Sequence, residues 1–69
     1  MSLTKEMIMS IEREVRMLGD TDLLIYYHSY RNINNSHPNS YDRYKVETAF
    51  IEIYERGLEN RINEFSSYW

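Results

Sequence analysis

A chain of 69 residues with no cysteine has few ways to hold itself folded. Small domains bury a smaller share of their surface than large ones, so the core is thin. Without cysteine, neither a disulfide framework nor a thiolate zinc site can staple it. Efficient helix packing or association with another chain must supply the difference. The same length allows one helical domain over residues 1–69, with no internal repeat and no linker long enough to divide it.

The formal net charge is −3, and neither the basic nor the acidic residues form a block. Generic attraction to nucleic acid or to an anionic membrane is therefore not expected, and neither is mimicry of DNA. No apolar run approaches the ~20 residues of a membrane span, and the N-terminus lacks the charged and apolar regions of a secretory leader. Together with the absence of cysteine, this points to the cytoplasm.

Periodicity then predicts three helices, an all-α fold. Leu3, Met7, Ile8, Ile11, Val15 and Leu18 recur at spacings of three and four, one face of a helix over residues 4–18. Thr4 or Ser2 fits its N-cap, and Gly19 fits the left-handed position that ends helices. Asp20 looks like the N-cap of a second helix over 21–32, striped by Leu23, Tyr26, Tyr27 and Tyr30. Leu24 and Ile25 fall outside that stripe, which implies contact on more than one side. The run Asn-Ile-Asn-Asn-Ser-His-Pro-Asn-Ser over 32–40 holds the only proline and reads as a loop.

Ser40 is the expected N-cap of a third and longest helix over 41–65, with 66–69 fraying. Helices 2 and 3 are expected to form an antiparallel hairpin. Lys45, Glu52, Arg56, Glu59 and Asn63 gather on one side of helix 3, as a solvated face would. Two apolar stripes share the rest. Tyr44, Ile51, Tyr54, Leu58, Ile62 and Phe65 make the first; Val46, Phe50, Ile53 and Gly57 make the second. The most buried residues are expected to be Ile11, Val15, Leu23, Tyr27, Ile51, Tyr54 and Leu58.

No motif for catalysis emerges. His28 and His37 lack the spacing of a helical metal site, so His28 reads as a boundary residue near Arg31 and His37 as a turn residue. There is no Ser-His-Asp or Cys-His arrangement and no glycine-rich phosphate loop. The carboxylates alternate with Lys and Arg along solvated faces, as in Glu12 with Arg16 and Glu52 with Arg56. Glu14 and Glu47 lie nearer apolar faces, where Arg43 or Arg61 could partner them. No enzyme, cofactor or metal is expected.

Seven tyrosines are the compositional oddity, and Tyr26, Tyr27, Tyr30, Tyr41 and Tyr44 flank the His-Pro loop. They can close the thin core there, or Tyr26, Tyr30 and Tyr41 can form a recognition surface for a protein. The spacing of Val15, Gly19 and Ile25 weakly echoes a helix-turn-helix, an alternative reading as a DNA-associated regulator. Asp20 and Asp22 would then face phosphates, which disfavours it. In composition, rich in Asn, Ile, Tyr and Glu and free of cofactor motifs, the chain is similar to small accessory proteins of phages and bacterial mobile elements. The leading expectation is a helical interaction protein that occupies a surface on a partner. Val46, Phe50, Ile53 and Gly57 also follow a helix-pairing spacing, so a homodimer through that seam stands beside a monomeric three-helix bundle.

Overall fold

The computed structural model describes residues 3–65, and among them the regular structure is entirely helical. Helix α1 spans Lys5–Met17, α2 Asp20–Ser36 and α3 Ser40–Glu55, and a 3₁₀ turn follows at Glu59–Arg61. Ser2 as an N-cap and the fraying over 66–69 lie outside the described residues. The longest helix is α2, with 17 residues against 16 in α3, which corrects the expectation of a long third helix.

Local chemistry accounts for most of the boundaries. The Thr4 hydroxyl accepts from the Met7 amide at 3.1 Å and starts α1. Gly19 does not close α1 in a left-handed turn: with φ −70 and ψ 168 it is extended, and it stands at the N-cap of α2, one residue before Asp20. The last carbonyls of α1 need no local glycine, because Arg56 reaches them from α3. Its guanidinium donates to Val15 O at 3.4 Å and Arg16 O at 3.1 Å.

The asparagine-rich run does not break the chain where composition suggested. α2 continues through residues 32–36 and stops only at His37, whose backbone at φ −137 and ψ 77 has left the helical region that Pro38 disfavours in its predecessor. Pro38 lies outside any regular element, as expected. The N-cap of α3 is Asn39 rather than Ser40. Its Oδ1 accepts from the Asp42 amide at 2.8 Å while its Nδ2 donates to the Asp42 carboxylate at 2.8 Å.

α3 ends ten residues short of the expected position because Gly57 stops it. Gly57 has φ 71, its amide donates to Tyr54 O at 3.1 Å, and the Leu58 amide donates to Ile53 O at 2.9 Å. Both bonds belong to a Schellman cap, completed by the burial of Leu58 against Ile53. Gly57 is thus a helix terminator, not a seam residue inside a helix.

The core gathers Ile11 and Val15 of α1, Leu23, Leu24 and Tyr26 of α2, Ala49 and Ile53 of α3, and Leu58 beyond it. α3 lies centrally, packing chiefly on α2 and also on α1; Leu23 and Leu24 of α2 are both fully buried. The orientation of α3 reverses the expected one. Ile53 is 0% exposed, whereas Ile51 is 61% exposed and Tyr54 57%; these two are surface residues, not core. Tyr27 is only half-buried.

Candidate functional site

The reversal of α3 has a polar cause. Lys45, Glu52 and Arg56, which read as a solvated side, point toward the rest of the domain, where each finds partners. Arg56 bridges Glu52 at 2.9 Å and Asp20 at 3.2 Å besides capping α1, so one guanidinium ties the end of α1, the start of α2 and the end of α3. Burial opposes its charge, but the Glu52 and Asp20 carboxylates outweigh burial and hold its pKa above the ordinary arginine value. Long charged side chains can cover apolar surface while their heads stay paired. Ala49, small and fully buried between them, lets α3 sit close.

Lys45 is the second inward cation. Its Nζ lies 4.2 Å from the Tyr30 ring centre and 4.4 Å from that of Tyr41, a cation held by two aromatic faces. Tyr26 stacks on Tyr30 at 4.7 Å in a tilted arrangement. Burial would lower the Lys45 pKa, but Tyr30, Tyr41 and the Glu14 carboxylate outweigh it and hold the ammonium above its ordinary value. The Tyr26 hydroxyl is buried beside the Glu14 carboxylate but falls short of good hydrogen-bond geometry with it. Burial first, and then the nearby charge of Glu14, raise its pKa well above the ordinary phenol value.

Of the five tyrosines around the loop, Tyr26, Tyr30 and Tyr41 therefore gather, with Tyr30 and Tyr41 turned on the chain's own lysine and Tyr26 stacked behind Tyr30. The other two part from them. Tyr44 donates to Glu12 of α1 at 3.2 Å, and Tyr27 packs on Phe50 at 5.9 Å between ring centres. His28 also differs from its reading as a boundary residue: it is buried, and its Nε2–H donates to the Ile62 carbonyl. That bond fastens the segment after α3 to the middle of α2. Glu47 pairs with Arg43 at 3.3 Å, but both are exposed; Arg61 pairs with Glu64.

Two surface features involve α3 directly along its length. A cleft of about 240 Å³ between α1 and α3 is lined by Glu12, Arg16, Tyr44, Thr48 and Glu52, smaller than the ~300–1,000 Å³ of ordinary ligand sites. Its Glu12 and Glu52 are committed to Tyr44 and Arg56. The other feature is the outward face of α3, where Tyr27, Val46, Phe50 and Ile51, together with the exposed Glu47, border a shallow groove. Phe50 stacks on the exposed Tyr54 at 4.9 Å. Among the expected seam residues, Val46 and Phe50 thus reach the surface, while Ile53 is core and Gly57 a cap. No signal in the pattern of apolar residues marks Ile51 and Tyr54 as outward, because the stripe they belong to is as regular as the buried one.

Among the described residues no group of three or more His, Cys, Asp or Glu side chains is arranged to hold a metal ion. No helix there is long and apolar enough to cross a membrane. Among the described residues the molecule is a small three-helix protein in which Ile51 and Tyr54 of α3, like Met9 and Met17 of α1, are exposed. No protein-family model, no curated protein and no solved structure matches the chain.

Proposed function

We propose that this chain is a helical interaction protein of the accessory type, acting in the cytoplasm by presenting the outward face of α3 to a protein partner rather than by catalysis. The observation that carries this reading is the inverted packing of α3: it turns Lys45, Glu52 and Arg56 inward and leaves Ile51 and Tyr54 more than half exposed. Contiguous exposed apolar residues beside aromatic ones mark interaction surfaces, and tyrosine is enriched at binding hot spots. An antiparallel hairpin of α2 and α3 supports that face from behind. The contacts Tyr30 with Lys45 and Tyr27 with Phe50 run in opposite chain directions, in keeping with such a hairpin.

A photo-crosslinking residue in place of Tyr54, expressed in the native cells, tests this reading. The expected outcome is a discrete set of crosslinked proteins that disappears when Ile51→Glu is added. Crosslinks indifferent to Ile51→Glu, or matching those from exposed Lys5 on the far side of α1, would refute it.

A further inference from the structure

α2 is covered on more than one side. Tyr27 and Tyr30 meet Phe50 and Lys45 of α3. Leu24 and His28, one turn apart, share a neighbouring flank, and both are buried. What lies over His28 is the segment that follows α3: the ring Nε2–H donates to the Ile62 carbonyl, and Ile62 and Phe65 pack half-buried against the core.

That segment, residues 59–65, is built differently from the helices. Its turn is closed by bonds to carbonyls three residues back, from the Arg61 amide to Leu58 O at 2.9 Å, Ile62 to Glu59 O at 3.3 Å and Glu64 to Arg61 O at 3.0 Å. Such 3₁₀ bonds are poorer in geometry than those of an α-helix. The ion pair of Arg61 with Glu64 at 2.7 Å is internal to the segment as well, so lifting the segment does not break it. Ile62 and Phe65 are only half-buried, where Leu23, Leu24 and Ile53 are fully so. A stretch with little buried apolar surface and short-range bonds opens at a lower free energy than the core it rests on.

We infer that residues 59–65 form a strap that leaves and regains the flank of α2 while α1, α2 and α3 stay folded, with Leu58 as its fixed anchor and His28 as its latch. Leu58 remains behind because its amide is bonded to Ile53 O and its side chain is buried, which keeps the cap of α3 closed. In the closed form the His28 N–H and the Ile62 carbonyl satisfy each other out of water; in the open form water takes both. Opening therefore uncovers His28 and its flank of α2 and leaves the outward face of α3 as it was.

Native-state hydrogen exchange of the full chain, followed amide by amide by NMR, tests the strap. After correction for intrinsic rates, the amides of Arg61, Ile62 and Glu64 are expected to exchange at least about tenfold faster than those of Val15 and Leu24. Ile11→Val in α1 should speed the Val15 and Leu24 amides by about fivefold and leave the strap amides at their wild-type rates, because the strap opens without α1. Strap amides that exchange no faster than the core in the wild type, or that accelerate with the core in Ile11→Val, overturn the strap. For the latch, His28→Leu fills the site without a donor and should speed the strap amides by about fivefold; His28→Gln, which keeps an N–H donor, should speed them less. A His28→Leu protein with wild-type strap exchange overturns the latch. The Ile11→Val comparison uses neither His28 variant, so it decides the strap independently of whether those fold.

Discussion

Replacing Gly57 with alanine separates two accounts of α3 by the sign of its effect. If Gly57 stood inside a continuous helix, alanine would stabilise the protein by roughly 1 kcal/mol, since glycine is the poorer helix former. The structure places it instead at φ 71, immediately after α3, with nothing within 4 Å of the point where an alanine methyl would stand. Crowding is therefore not the issue; the backbone conformation is. Left-handed geometry costs a non-glycine residue about 1–2 kcal/mol, offset in part by the ~0.4–1 kcal/mol that alanine contributes by narrowing the unfolded ensemble. The net expectation is a loss of about 1 kcal/mol, or a drop in melting temperature of about 4–8 °C for a domain of this size. Gly57→Asn should lose less, because asparagine tolerates the left-handed region better. Thermal and urea melts followed by circular dichroism at pH 7 read the effect. Gly19→Ser is the matched control: φ there is −70, the N-cap of α2 has no side-chain hydrogen bond, and serine should stabilise by about 0.5–1 kcal/mol. A Gly57→Ala protein that melts higher than the wild type would show that the Schellman cap and the early end of α3 are wrong.

Three further outcomes are expected. Ile53→Ala should cost about 2–5 kcal/mol in urea unfolding, while Ile51→Ala should stay within about 0.5 kcal/mol of wild type; equal losses would restore the opposite orientation of α3. Tyr26→Phe should change stability at pH 7 by no more than about 1 kcal/mol, because it removes a buried hydroxyl whose approach to Glu14 falls short of good hydrogen-bond geometry. The raised folded-state pKa of Tyr26 stabilises the native state fully below the ordinary tyrosine value of about 10 and progressively less as pH climbs above it. The wild type should accordingly lose stability above about pH 10 faster than Tyr26→Phe, and parallel alkaline curves for the two would contradict the shift. Arg56→Gln should cost about 1–3 kcal/mol, since it strips the carbonyl caps from α1 and leaves Glu52, itself largely covered, without its cation; a melting temperature equal to the wild type's would show that the clamp holds nothing.

The features legible in the chain alone are local ones. Three helices, the Thr4 cap, the Pro38 break and the buried faces of Ile11, Val15 and Leu23 follow from periodicity and from short-range hydrogen bonds. Each of these needs only residues within four positions of one another. The asparagine run misled because turn formers such as Asn34 and Asn35 only bias a chain that α2's packing can still carry as helix. The third helix could not be oriented from sequence for a different reason. Its two apolar stripes are equally regular, so the pattern by itself leaves two rotations open, and the polar side looked solvated because exposure is the usual fate of charge. Contacts 15 or more residues away in the chain chose between them: Lys45 with Tyr30, Arg56 with the end of α1 and with Asp20. Once those long side chains are satisfied inward, Ala49 and Ile53 follow them into the core. Ile51 and Tyr54 are left outside, and the face available to a partner is the one that only tertiary structure could select.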